Sequence, residues 1–292
     1  MPHRQHPVDS ARPTEASMTA RLRAAGCVFA EDEARLLAAS GAGDERLLEM
    51  LEQRVVGLPL EHILGWVDFC GLRLLVGPGV FVPRQRSALL VTAAADVTAP
   101  GATVLDLCCG CGALAAGLAH LVPGLRLHAT DISGAAVALA HRNLSRHGAR
   151  CYEGDLFAPL PAALRGTVDT LLCNTPYVPS AQVGNLPPEA RLHEPRATLD
   201  GGADGLEVQR RVVQEAREWL APGGHLLVEI GEDQEAACLD LLAAGGLRAW
   251  TRRDDDVGAL VAIGQAPRVR REYGRSGSAP SAAHSKMVPE QP

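Results

Sequence analysis

The sequence predicts an α/β protein in which a small helical domain precedes a doubly wound, mostly parallel β-sheet. Three observations carry that expectation. From about residue 87 onward, short runs of β-formers alternate with helical patterns, and such alternation builds a parallel sheet with helices on both faces. Apolar residues make up 47% of the 292, which supplies a full core and excludes global disorder. The N-terminal segment lacks the alternation and reads as helical.

Taken in order, residues 1–16 are polar and read as a disordered leader. From Ser17 to about Val56, Leu22, Ala25, Phe29 and Leu36 recur at helical spacing, with Leu37 beside the last; Leu47, Leu48 and Leu51 repeat the pattern. Gly26, Gly41 and Gly43 punctuate the segment into three short helices. This domain, 17–62, is too small to stand alone and is expected to pack on the rest of the chain. Residues 63–82 set turn glycines (Gly71, Gly77, Gly79) around Leu72–Val76, the pattern of a β-hairpin linker. The sheet domain spans 83–266. Its expected elements are helix Ala88–Val97, strand Thr103–Leu107, helix Ala113–Leu121, strand Leu125–Thr130, helix Ala135–His147, and strands Arg150–Tyr152 and Val168–Cys173. Helix Gly205–Leu220, strand His225–Ile230, helix Gln234–Ala244 and strands Leu247–Thr251 and Ala259–Ile263 complete it. Only the short Arg252–Gly258 turn joins the last two strands. Parallel neighbours need a long crossover, so as neighbours these two must be antiparallel. Residues 267–292 turn polar and read as a disordered tail.

Composition narrows the function. The net charge is −6 and aromatics are only 3%, which argues against direct nucleic-acid binding through phosphate contacts and stacking platforms. No run of about 18 apolar residues exists, so no membrane span is expected. Residues 1–15 lack the apolar centre of a secretory signal, which points to the cytoplasm. Several of the eight cysteines sit in apolar runs such as Leu171-Leu172-Cys173, as buried reduced thiols do.

The first chemical motif is Val104-Leu105-Asp106-Leu107-Cys108-Cys109-Gly110-Cys111-Gly112, an apolar strand feeding a glycine-containing turn and then a helix. Doubly wound sheets bind ligands at the carboxyl ends of their strands, where small residues allow close backbone approach. Asp131 ends the next strand, 21 residues after Gly110 (131 − 110), the spacing of an acid that accepts ribose hydroxyls. Glu153-Gly154-Asp155 ends a third strand, within reach of an adenine edge. The loop spells neither G-x-G-x-x-G nor a lysine-bearing P-loop, so phosphate cradling is not indicated. Asp106 inside the loop would repel a pyrophosphate and favour a cationic ligand, which points to S-adenosylmethionine rather than NAD. Taken singly, these acids read equally well as helix caps, Asp131 standing just before an apolar helix. Cys108 and Cys111 also have C-x-x-C spacing between strand and helix, the layout of a redox pair. A dithiol site has no need of Asp131 and Asp155, and no second cysteine or histidine pair completes a zinc site; no metal is expected.

The second motif, Asn174-Thr175-Pro176-Tyr177, follows the fourth strand directly and falls at the same sheet edge. Proline holds Thr175 extended, which fixes the direction of its carbonyl. That carbonyl and the Asn174 side-chain oxygen present two acceptors to a planar –NH₂, and Tyr177 can stack on the planar group. A nitrogen attacking a methyl sulfonium becomes positive, so these hydrogen bonds strengthen in the transition state. As a bare tetrapeptide, N-x-P-Y is also ordinary turn chemistry.

These residues resemble the protein-(glutamine-N5) methyltransferases of the PrmC/HemK family, which act on peptide-chain release factors. The likeness covers roughly residues 45 to 235. It includes Gly57–Gly65, Gly79–Arg84, the Asp106 loop, Asp131–Ser133, Asp155–Phe157, Asn174–Tyr177, Glu194-Pro195, Leu199–Leu206 and Glu229–Gly231. The resemblance implies a class I S-adenosylmethionine-dependent methyltransferase fold, Rossmann-like, with a seven-stranded, mostly parallel sheet whose last strand is antiparallel. It implies a helical domain that docks a release factor. The implied cofactor site is Asp106, Cys108, Cys109, Gly110, Cys111, Gly112, Asp131, Ile132, Asp155, Leu156 and Asn174, and the implied catalytic tetrapeptide is Asn174, Thr175, Pro176 and Tyr177. The chain departs from the pattern in three places. Cys108 replaces the first loop glycine, which is tolerable if φ is negative there. Thr175 replaces the first proline of N-P-P-Y, and Gln85-Arg86-Ser87-Ala88 replaces an acidic stretch with Thr-Glu. Two other readings stand beside this one: a nucleic-acid amino-methyltransferase using the same grip on an exocyclic amine, and a binding protein that kept the fold without turnover.

Overall fold

The computed structural model describes residues 12–268. Of the expected leader, 1–11 lie outside the described residues, and 12–16 do not belong to it. Helix α1 (Glu15–Ala24) already begins there, capped by Thr14, whose hydroxyl accepts the Ser17 N–H at 3.2 Å. Of the expected tail, 269–292 lie outside the described residues, and the Pro267 carbonyl still accepts the Gly223 N–H at 3.1 Å.

Helices α2 (Ala30–Ala38), α3 (Asp44–Val55) and α4 (Leu60–Leu64) complete the helical domain, one short helix more than expected. Met18, Leu22, Leu37, Leu47, Leu51 and Ile63 fill its core. Phe29 does not join them and is 68% exposed. Gly26, at φ +90°, stops α1, so the helical register from Leu22 and Ala25 never reaches Phe29. Strands β1 (Trp66–Phe69) and β2 (Leu72–Leu75) then pair antiparallel across Cys70-Gly71. Both turn residues have positive φ (49° and 74°), the signature of a tight hairpin turn.

The sheet domain runs α5 (Ala88–Ala95), β3 (Thr103–Leu107), α6 (Ala113–Leu121), β4 (Arg126–Asp131), α7 (Gly134–Leu144), β5 (Arg150–Glu153), β6 (Val168–Cys173), α8 (Pro188–His193), α9 (Glu207–Trp219), β7 (Leu220–Glu229), α10 (Glu235–Ala244), β8 (Arg248–Asp254) and β9 (Ala259–Gln265). Strand order is β5-β4-β3-β6-β7-β9-β8. Strands β5 through β7 are mutually parallel, and β9 is antiparallel to both β7 and β8. Every residue of β3 is buried. Val104, Leu172, Leu227 and Val261 form one core with α5 and α6, while Leu105, Leu107, Leu171 and Leu226 form another with α9 and α10. Strand order reverses between β3 and β6, and that switch point opens a crevice at the carboxyl ends of the strands. Among the described residues, no helix is long and apolar enough to cross a membrane.

Candidate active site

A cleft of about 570 Å³ occupies this crevice, within the range of small-ligand sites. Its wall includes Cys108, Cys109, Gly110 and Cys111 after β3, Asp131 and Ile132 at the end of β4, and Asp155 and Leu156 after β5. Asn174, Thr175, Pro176 and Tyr177 after β6 form the opposite wall. The structure therefore brings the two sequence motifs onto one cavity.

The loop after β3 is tied down on every side. Cys109 N–H donates to the Thr130 carbonyl at 3.0 Å, and Gly110 N–H donates to Asp131 Oδ2 at 2.9 Å. Asn143 on α7 donates to the Cys111 carbonyl at 2.8 Å and also exchanges hydrogen bonds with the Leu75 backbone of β2. The hairpin thus braces the loop, through a residue that no sequence motif contains. Asp131 Oδ1 accepts the Ser133 N–H at 2.9 Å, and each carboxylate oxygen keeps a lone pair for the cleft. Burial pushes the Asp131 carboxyl up, and the backbone donors at Ser133 and Gly110 pull against it. Ser133, not Asp131, caps α7, its hydroxyl accepting the Ala136 N–H.

Two expected loop residues stand behind the wall. Asp106, placed by sequence beside a cationic ligand, is fully buried, and its Oδ2 accepts the Ala115 N–H at 3.1 Å in the first turn of α6. Burial raises its carboxyl to about 7. Gly112, at φ +79°, lets α6 approach α7: a Cβ there would lie 3.0 Å from the Leu144 side chain and 3.3 Å from the Ala140 Cα. Cys108 corrects another expectation. Its φ is +54°, so cysteine occupies a left-handed position where glycine is the unstrained choice. Cys109 and Cys111 are buried, and burial pushes the Cys111 thiol up to about 12, the opposite of what a redox pair requires.

On the acceptor side, Asn174 Nδ2 donates to Ser87 Oγ at 3.3 Å. That partner orients the amide with its nitrogen toward Ser87 and leaves Oδ1 as the acceptor. Thr175 is 2% exposed and its hydroxyl has no hydrogen-bond partner. The Leu199–Leu206 segment wraps behind the tetrapeptide. A Cβ at Gly201 would fall 2.6 Å from the Pro176 carbonyl, and one at Gly205 would fall 2.2 Å from the Tyr177 carbonyl. Glycine is therefore required there for the two stretches to lie side by side. Arg84 grips both oxygens of buried Glu194 at 2.9 and 2.7 Å, fastening the stretch just after the linker to the end of α8. Ser87, Asn143 and the Arg84–Glu194 tie escape sequence reasoning because their partners are 87, 68 and 110 residues away.

An apolar residue exposed at the rim (Ile132, 70%), a carboxylate with open lone pairs and a backbone-lined loop together suit a ribose-bearing sulfonium. The residues present fit S-adenosylmethionine.

Comparisons with known proteins agree. A family profile described as "Methyltransferase small domain" matches residues 72–191. The release factor glutamine methyltransferase of Geobacter sulfurreducens is 41% identical over 199 residues, covering 68% of this chain and 69% of that protein. Those of Mycobacterium tuberculosis (37% identity, 81% and 78% covered) and Bradyrhizobium diazoefficiens (32%, 82% and 88%) match over longer stretches. A methyltransferase structure from Pyrococcus furiosus superimposes with a TM-score of 0.50 at 18% identity, covering 68% of this chain and 90% of that one, a likeness of fold. With the sheet order, the cleft and these relatives in agreement, the chain is an S-adenosylmethionine-dependent methyltransferase of class I fold and belongs to the release factor glutamine methyltransferase family.

Proposed function

We propose that this enzyme methylates the side-chain amide nitrogen of a glutamine in a peptide-chain release factor. The observation that carries the reading is the Asn174 amide, anchored through its nitrogen by Ser87 so that its oxygen is the acceptor at the cleft. Asp131, Ile132, Asp155, Leu156 and the loop from Cys108 to Cys111 would hold the cofactor. Bound there, S-adenosylmethionine supplies an electrophilic methyl group on a sulfonium.

The chain's own residues act on the acceptor. Asn174 Oδ1 and the Thr175 carbonyl each accept one N–H of the glutamine amide, which occupies both hydrogens and aims the nitrogen lone pair along the cleft. As that nitrogen becomes positive, both hydrogen bonds become charge-assisted and roughly twice as strong. Stabilisation that grows toward the transition state raises the rate and not merely the affinity. Pro176 and the Leu199–Leu206 segment keep the two acceptors from moving apart. Relatives named as release factor glutamine methyltransferases support the acceptor; this acceptor requires no direct nucleic-acid contact and suits a cytoplasmic enzyme.

Asn174→Ala tests the grip. It should lower kcat on the order of 10²–10³, as loss of one preorganised electrostatic partner does, with a much smaller change in S-adenosylmethionine affinity by calorimetry. Undiminished turnover would end the mechanism.

A further inference from the structure

Tyr177 is held at both ends. Its carbonyl accepts Gln234 Nε2 at 2.8 Å. Its hydroxyl accepts from Arg86 Nη2 at 2.6 Å and donates to Glu229 Oε1 at 3.0 Å. Arg86 Nε reaches the same Glu229 oxygen at 3.3 Å. Three separate elements meet at one phenol: the turn before α5, the loop after β6 and the end of β7. Glu229 is only 3% exposed, so its carboxylate depends on Arg86 for counter-charge. Arg86 stands in the stretch that departs from the resemblance, at the junction of the main cleft and a smaller cavity of about 210 Å³ beyond Tyr177.

We propose that Arg86 and Glu229 are positioning residues of the acceptor site, which fix the Tyr177 ring through its hydroxyl. A tyrosine side chain turns about two bonds, and two charge-assisted hydrogen bonds at its far end leave the ring little freedom. The ring then forms a fixed wall for the planar group gripped by Asn174 and Thr175. Burial and neighbouring Glu229 push the Tyr177 phenol up to about 12, so the hydroxyl remains a proton donor across the working range. Neither Arg86 nor Glu229 needs to touch the reacting atoms. Their effect is on the distance and angle of attack, to which rates are steeply sensitive.

The inference rests on the acceptor grip proposed above, and a double-mutant cycle separates the two. The acceptor is whichever substrate the wild-type enzyme labels, beginning with a purified release factor. If wild type labels only nucleic acid, the release-factor reading fails, and the cycle is run on that acceptor. Arg86→Ala should lower kcat roughly 10- to 100-fold, the loss expected for a hydrogen bond to a charged group, with a much smaller change in KM. Arg86→Lys should recover part of the loss. Tyr177→Phe keeps the ring and removes the hydroxyl, so Arg86→Ala should cost little more in that background. Should Arg86→Ala fail to fold, Arg86→Lys and Tyr177→Phe, singly and together, give the same comparison. Losses that multiply independently, a change confined to KM, or unchanged kcat in Arg86→Ala would overturn the inference.

Discussion

Cys108 holds a left-handed backbone at φ +54° at the start of the loop after β3. A β-carbon in that region costs about 1–2 kcal/mol, and glycine gives back part of the gain through chain entropy. Cys108→Gly should therefore raise stability by about 1 kcal/mol in urea titrations and keep S-adenosylmethionine affinity; a loss of stability would mean that the thiol's packing outweighs the backbone strain. The sequence could name the position but not its dihedral, because the sign of φ depends on how the loop closes over Thr130 and Asp131. Asp106 behaves alike. Its motif was legible, but its side chain turns under α6 and away from the cleft. Its carboxyl, normally near 3.8, is raised to about 7 by burial. Its stabilising contribution is therefore complete below the unfolded value and is lost as pH rises through about 7. Asp106→Asn should remove that dependence, so its advantage in Tm over wild type should be larger at pH 8 than at pH 5. An equal difference at both values would show that Asp106 is not the titrating group.

At the level of elements, strands Thr103–Leu107 and Val168–Cys173 were legible to the residue, because runs buried on both faces carry β-formers and end at turn residues. Helix α8 (Pro188–His193) was not, since six residues flanked by prolines show no helical period. Yet α8 connects the helical domain to the cleft. Arg54 of α3 bonds Glu33 of α2 at 2.6 and 3.0 Å and the Leu58 carbonyl at 3.1 Å, and pairs with Glu189 of α8 at 3.0 Å. Glu189 itself lines the cleft. The Arg54 and Glu33 side chains are only 10% and 12% exposed, so removing one partner strands a charge. Arg54→Ala should destabilise by about 3–5 kcal/mol, a loss that thermal unfolding would register plainly. A Tm unchanged from wild type would show that the pair contributes nothing net.

At the scale of the whole molecule, alternating β and α patterns dictated the parallel sheet, and the short 252–258 turn dictated its antiparallel end. Strand order was not legible, because no local pattern tells β3 that β4 and β6 are its neighbours. Once that order is set, chemistry follows from topology: residues 108, 131, 155 and 174 stand at or just past the ends of neighbouring strands and meet at one crevice. What remained illegible is the scaffold around it, in Ser87, Asn143, Arg84–Glu194 and the Arg86–Tyr177–Glu229 cluster, all joined across long sequence distances. In the proposed function this scaffold presents a glutamine amide to the cofactor. That role is checked by incubating the full chain and labelled S-adenosylmethionine with a purified release factor, then mapping the label by fragmentation mass spectrometry. The expected result is one methyl group on the side-chain nitrogen of a glutamine, abolished or nearly so in Asn174→Ala. Label on tRNA, rRNA or DNA with none on protein, or on a protein residue other than glutamine, would contradict it.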